Sequence, residues 1–340
     1  MVDKKLILAV AGSGKTTNLI NKLNLIERFY LVTYTITNEN LLRLRIIKKF
    51  GYLPNNIKVF TYFNFLYSFC IKPFLFYKYN LKGVFLENSP EPTNYFKNSN
   101  IRKYISKSGY AYHNRLGKLI EYENLIEDIK LRLEKFCDHF YYDEVQDLGG
   151  HDFNFIMELS KSNVNFIFVG DFYQQTYVTS FDRNVNGTLH KDYDKYLQRY
   201  KDFNITIDIE TLSNSWRCSP TICNYISENL GIVIGSHRTD LTEITLIEDK
   251  ETLSSIIKDN SIIKLVYSNA SKRDFRAKKW GECKGEDDFI DTCIIMNATT
   301  FKLYKKDNLD KLANRTKNKL YVAFSRTRGN CYLVDEELLK

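Results

Sequence analysis

The stretch "AVAGSGKT" (residues 9–16) sets two glycines, a lysine and a threonine in the order that cradles a phosphate chain. Glycines let backbone N–H groups fold round an anion, and the helix that follows adds the positive end of its dipole. Ala11, Gly12, Ser13, Gly14, Lys15, Thr16 and Thr17 are the candidate phosphate-binding residues, with Lys15 reaching the outer phosphates and Thr16 ligating Mg²⁺. The strict pattern has glycine where this chain has Ala9. A tight turn that happens to contain Gly-Lys-Thr is the competing reading, and the apolar strand before it and periodic helix after it favour the phosphate site. Carboxylates come next: in "HFYYDEVQD" (139–147) Asp143 stands where a metal-holding acid belongs, and Glu144 where an attacking water is oriented or deprotonated. "VGDFYQQTY" offers Asp171 and Gln174. Arg217 in "SNSWRCSPTI" and Arg326 and Arg328 in "LYVAFSRTRG" are candidate phosphate arginines. Such a residue accelerates phosphoryl transfer by about 10³–10⁵ in known cases, although a single arginine is more often structural.

These side chains need strands to hold them. Leu6–Val10 reads as a buried strand, and Thr17 onward as a helix with Leu19, Ile20, Leu23 and Ile26 at helical spacing. Strands are expected over Phe29–Thr35, 57–63, 139–147 and 163–171, with a helix opened by Asn38 and an aromatic helix over 64–71. Residues 73–137 change character, with Pro73, Pro90, Pro92 and a basic stretch, and read as a partly helical insertion. A second alternating block begins near Ile205. Strand-then-helix alternation predicts an α/β fold with parallel sheets.

A chain of 340 residues with 44% hydrophobic content suits two α/β lobes. The net charge of +8 suits a polyanionic partner, but Lys, Asn, Ile, Phe and Tyr are also what AT-rich coding favours, so charge alone is weak evidence. No signal peptide and no bilayer-spanning run is expected. The seven cysteines have no paired or zinc-like spacing and read as reduced thiols of a cytoplasmic protein.

In series, "AVAGSGKT … TYTITNENLLRLRI … FTYFNF … DEVQD … VGDFYQQTY … NSWRCSP … GECKGEDDF … YVAFSRTRG" resembles the UvrD/Rep-type superfamily 1 helicases, block by block and over nearly the whole chain. The resemblance implies two RecA-like P-loop lobes, residues 1–204 (with a reduced insertion at about 73–137) and 205–340, with ATP and Mg²⁺ bound between them. It implies Thr16 and Asp143 at the metal, Glu144 as catalytic base, Gln174 coupling nucleotide state to the nucleic-acid track, and Arg217 and Arg326 at the γ-phosphate. Trp216 falls where an aromatic residue stacks on the base, and Gly285 and Glu286 near the sugar contact. Thr35, Arg45, Thr61, Phe63 and Tyr177 fall in the blocks that follow the nucleic acid.

Departures from the family pattern are specific. Ile36 replaces a usual Asn, Phe63 a common His, and Gly281 a usual His; "VTSFDRN" follows Tyr177 in place of an aromatic–Arg pair, and Glu286 and Asp287 both compete for one role. The adenine-reading glutamine segment is expected to be missing or replaced. There is too little chain between Arg217 and Lys284 for the usual accessory domain, and no trailing nuclease is expected. The expectation is an ATP-dependent helicase or single-stranded DNA translocase of 3′–5′ polarity, with RNA an open alternative as the track. The alternative is a regulatory, nucleic-acid-sensing ATPase subunit that activates a partner such as a nuclease in phage defence or DNA repair. Lys15→Ala is expected to abolish ATP hydrolysis, because the phosphates lose their main side-chain partner; near-normal steady-state turnover by that variant would refute the assignment.

Overall fold

The computed structural model describes residues 2–87, 89–176, 185–286 and 288–340. The chain divides into two compact units. The first is Met1–Ile7, Thr16–Gly170 and Val178–Asp208; the second is Leu8–Lys15, Asp171–Tyr177 and Ile209–Lys340.

In chain order the first part contains β1 (Lys4–Ala9), α1 (Lys15–Lys22), β2 (Phe29–Thr33), α2 (Ile36–Phe50), β3 (Ile57–Thr61) and α3 (Tyr62–Asn64). A π-helix, Phe65–Ile71, runs into α4 (Lys72–Tyr79), followed by β4 (Gly83–Phe85), β5 (Tyr110–Tyr112), α5 (Leu116–Tyr122), α6 (Ile126–Phe136), β6 (His139–Asp143), α7 (Gly150–Leu159), β7 (Asn165–Gly170), α8 (Tyr193–Lys201) and β8 (Thr206–Leu212). The six-stranded sheet has the order β3-β2-β6-β7-β1-β8, and β2 runs parallel to β3 and β6, as β6 does to β7. Its strands β2, β6 and β7 carry the aromatic residues and are buried nearly throughout. Phe140 lies 4.9 Å from Phe166 and 5.3 Å from Phe65, and Phe168 lies 5.9 Å from Tyr200, ring centre to ring centre. The boundary expected at 204/205 falls before β8, which is a strand of this sheet.

Several elements differ locally from the sequence reading. Helix α1 stops at Lys22 and leaves Ile26 91% exposed, because the Asn24 side chain accepts from the N–H groups of Ile26 and Glu27 and turns the chain. Helix α2 starts two residues before Asn38, because Thr35 serves as its cap and its hydroxyl accepts from the Asn38 N–H. Near the far end of α2, Lys49 Nζ donates to the carbonyls of Ile20 (2.8 Å), Asn21 (3.0 Å) and Leu23 (2.7 Å), satisfying acceptors that the end of α1 leaves open. The strand expected over 139–147 ends at Asp143, and the aromatic helix expected over 64–71 is mostly π-helical. Within the insertion, the buried Arg115 guanidinium donates to the carbonyls of Thr93 (3.2 Å) and Lys103 (2.6 Å) and to Asn94 Oδ1 (2.5 Å), so one cation gathers two separate segments.

The second part contains β9 (Asn214–Ser215), α9 (Pro220–Leu230), β10 (Gly235–Ser236), β11 (Ile244–Ile247), α10 (Lys250–Lys258), β12 (Ile263–Val266), β13 (Ala277–Lys279), β14 (Thr292–Met296), α11 (Ala298–Tyr304), α12 (Asn314–Phe324) and β15 (Cys331–Asp335). Its five-stranded sheet, of order β11-β15-β14-β12-β13, is parallel throughout. Period-2 alternation divides two cores: Ile263, Leu265, Ile294 and Met296 on one face, Val266, Cys293 and Ile295 on the other. Lys264 is the exception in β12; burial lowers its pKa, and its amine donates to the Asp259 carbonyl at 2.5 Å. All seven cysteines are buried free thiols. No helix among the described residues is long and apolar enough to cross a membrane.

Burial lowers the pKa of His190 to about 4, so it is neutral in the folded protein. An unfolded histidine takes up its proton near about pH 6.5. The folded state therefore loses stability as pH falls from 6.5 towards 4, and loses none from this group above that window. His190→Gln should flatten the dependence of unfolding free energy on pH across that window, measured by denaturant titration; an unchanged slope would contradict it.

Candidate functional site

The backbone at Ala9, where the strict P-loop pattern has glycine, makes no demand for glycine. Ala9 is the last residue of β1, in ordinary extended backbone, whereas Gly12 (φ 73°) and Gly14 (φ 87°) are left-handed. The Ser13 hydroxyl closes the loop on the Val10 carbonyl at 2.8 Å, and buried Lys15 opens α1. Gly12 has a second reason to be glycine: a Cβ there would lie 2.7 Å from the Arg217 Cβ and from Ser215 Oγ. Its carbonyl accepts from the Trp216 N–H at 2.9 Å. Ala11, expected among the phosphate-binding residues, spends its N–H on the Tyr321 hydroxyl at 2.9 Å.

The acidic turn is built on one hydrogen bond. Thr16 Oγ1 donates to Asp143 Oδ2 at 3.0 Å, joining the two residues expected at the metal. Asp143 Oδ1 accepts from the Glu144 N–H at 3.1 Å, and Glu144 adopts φ 60°, ψ 46°, a left-handed conformation unusual for a side chain of this size. Gln146 Nε2 donates to the Glu144 carboxylate. Gly170 ends β7 directly against this turn: a Cβ there would lie 2.4 Å from Gln146 Oε1 and 2.9 Å from Val145 Cγ1. Thr16, Asp143, Glu144, Gln146 and Gly170 therefore form one packed cluster in the first unit. A hydroxyl, a carboxylate and a second carboxylate held beside them match the oxygen donors that Mg²⁺ prefers.

In the second unit, Asp171 caps a short turn, accepting from the Tyr173 N–H at 3.1 Å, and the turn carries Gln174. Gln174 is buried, and its Nε2 has no hydrogen-bond partner among the described residues, which fits a ligand oxygen arriving there. Arg217 Nη1 donates to the Ser325 carbonyl at 3.0 Å, and Arg326 Nη1 to the Glu286 carbonyl at 2.8 Å. Trp216 is 65% exposed and stacks on His237, with centroids 4.0 Å apart. Cys218, next to Arg217, has its thiol pKa lowered, first by a hydrogen bond with the neighbouring Cys223 and further by the Arg217 charge.

The remaining expected residues are also located. Gly285 is left-handed (φ 88°), and Glu286 is paired with Lys278 at 2.5 Å. A Cβ on Gly281, which stands at the usual histidine position, would meet Thr176 and Lys319 at 3.4 Å, ordinary van der Waals contact. Thr35 and Thr61 are N-caps of α2 and α3, each hydroxyl accepting from the N–H three residues on. Phe63 is half-buried, and Arg45 donates to Thr17 Oγ1 at 3.1 Å, linking α2 to α1. Tyr177 and Asp287 lie outside the described residues. Sequence reasoning missed Tyr321, His237 and Gly170; Tyr321 and Gly170 lie inside or beside quoted motifs, but nothing in their spacing distinguishes them from core residues.

No protein-family model and no curated protein matches the sequence. Among solved structures, an arterivirus nonstructural protein 10 (helicase) in complex with DNA superposes with a TM-score of 0.52 at 13% identity, covering 98% of this chain and 62% of that one. A crystal structure of arterivirus nonstructural protein 10 gives 0.49 at 12% identity (98% and 61%), and the PRRSV helicase 0.46 at 16% (98% and 52%). The chain thus spans about three fifths or less of these proteins' length. The first likeness shows the fold: the two parallel sheets match the RecA-like lobes of a helicase.

Gly170→Ala is expected to force the Gln146 and Val145 side chains outward and displace Glu144. Turnover of bound nucleotide should fall more than tenfold, on the scale of about 1.4 kcal/mol per factor of ten; wild-type turnover would show that the turn tolerates the displacement.

Proposed function

We propose that the chain is an ATP-dependent helicase or single-stranded DNA translocase of the UvrD/Rep kind, with 3′–5′ polarity, acting in the cytoplasm. The observation that carries this reading is the hydrogen bond between Thr16 and Asp143 with Glu144 held beside it in a left-handed turn. That is the arrangement a metal-dependent nucleotide hydrolase needs: two oxygen donors for Mg²⁺ and an adjacent carboxylate for water. Thr16 and Asp143 would hold the metal, which when bound neutralises phosphate charge. Lys15 and the Gly12–Gly14 backbone bind the phosphates, Glu144 takes the proton from water, Gln174 reads the γ-phosphate, and Arg217 and Arg326 stabilise transferred charge. The exposed face of Trp216 offers a platform for a nucleobase.

The track is proposed on the N-terminal ends of α2 and α3, where Thr35 and Thr61 cap backbone N–H groups that suit phosphate. A second reading is a regulatory ATPase subunit serving a partner such as a nuclease.

Steady-state ATP hydrolysis by the purified chain, with and without single-stranded DNA and at two salt concentrations, tests the proposal. Turnover stimulated by DNA and fading with salt is expected. Glu144→Gln should retain nucleotide binding and lose turnover. Hydrolysis without stimulation supports the regulatory reading, and absence of hydrolysis under every condition rejects both.

A further inference from the structure

Tyr321, on α12, is wholly buried and its ring belongs to the second unit's core, yet its hydroxyl is fully used. It accepts from the Ala11 N–H at 2.9 Å and donates to Asp171 Oδ2 at 2.9 Å. The polarity is fixed, since an amide can only donate and a carboxylate can only accept. Burial and the Asp171 charge push the phenol pKa well above its ordinary value, so the hydroxyl keeps the proton it donates.

Each end of this bridge leads to a residue of the proposed nucleotide chemistry. Ala11 belongs to the loop that contains Gly12, Gly14 and Lys15. Asp171 uses its other oxygen to cap the turn that carries Gln174. One turn earlier on α12, Asn318 Nδ2 donates to the Gln175 carbonyl at 3.1 Å, a second tie to the same turn, and the Tyr173 and Tyr321 rings meet edge to face at 6.1 Å. The helix ends with the Ser325 N–H bonded to the Tyr321 carbonyl, immediately before Arg326.

We infer that Tyr321 is a positioning residue for nucleotide hydrolysis: its hydroxyl sets the P-loop backbone and the Gln174 turn at fixed positions relative to the helix that leads to Arg326. The inference rests on the hydrolase reading above. Tyr321 touches no reacting atom in this scheme; it acts through the Ala11 amide and the Asp171 carboxylate. A buried amide and a buried carboxylate that lose a shared partner rearrange to find others, and the elements they belong to move with them.

Tyr321→Phe keeps the ring and removes the hydroxyl. Hydrolysis is measured per bound nucleotide, with binding stoichiometry taken from titration of a fluorescent ATP analogue, so a partly unfolded sample does not imitate the effect. The expected result is about a tenfold loss of turnover with the analogue's Kd changed less than threefold. Asp171→Asn should lose a similar factor, and the double variant should lose no more than the worse single one, because both changes break one network. Wild-type turnover per bound nucleotide in Tyr321→Phe overturns the inference. So does a double variant whose losses multiply. Failure of the wild-type chain to hydrolyse nucleotide at all overturns the hydrolase reading instead, and this inference with it. Should the Phe variant not fold, amide exchange on the wild-type protein decides: slow exchange at Ala11 without nucleotide is expected, and exchange at the rate of an open loop overturns the bridge.

Discussion

A threonine hydroxyl and an aspartate carboxylate 127 residues apart in sequence meet at 3.0 Å, and much of the first unit's chemistry depends on that meeting. A buried carboxylate is tolerated only when its oxygens are used. Asp143 gives one oxygen to Thr16 and the other to the N–H of its own neighbour, and the second bond accompanies the left-handed turn of Glu144. That turn brings the Glu144 carboxylate to Gln146, and Gln146 in turn requires that β7 end in a residue without a side chain. Strain at Glu144 is thus held by its bonds to Asp143 and Gln146, the kind of support under which an unfavourable backbone conformation persists.

Much of this was legible in the sequence, and the reason is that the legible parts are local. Gly-Ser-Gly-Lys-Thr after an apolar strand specifies its own loop, and the aromatic runs ending in Asp143 and Gly170 specify buried strands whatever they pack on. Parallel sheets followed from strand–helix alternation. What escaped depends on distant partners or on a single competing side chain. Ala11 is named by the P-loop pattern, but its N–H is spoken for by a tyrosine 310 residues away. Arg45, named for its charge, also ties α2 to Thr17 on α1, a contact that the sequence does not announce. Ile26 has the right period for α1, but Asn24 turns the chain first. The strand β8 follows a change in sequence character at about 205 and still belongs to the first sheet.

A fold shared at 13% identity with a viral helicase says how little of the architecture resides in particular side chains. Apolar residues at the right period and of the right total volume are enough to build parallel sheets covered on both faces. Rings do much of that work here: in a chain with 24 tyrosines and 23 phenylalanines, Phe29, Phe65, Phe140, Phe166, Phe168 and Tyr200 are among the largest fully buried side chains. Each ring brings geometric preference as well as area, so the core of the first unit is a chain of edge-to-face and tilted contacts from Phe65 through Phe140 to Phe166.

The two cations of α2 have a mechanical consequence. Arg45 grips α1 near its beginning and Lys49 grips it at its end, so the two helices are pinned at two separated points and cannot swivel independently. Thr35 sits ten residues beyond Arg45, about 15 Å away at the rise of an α-helix. A tilt of about 5° in α1 would therefore swing Thr35 through about 1.3 Å, given that rise. Helix α1 begins at Lys15, in the glycine-rich loop, and α2 begins at a cap facing solvent, so a displacement at the loop end of α1 would be enlarged at the surface.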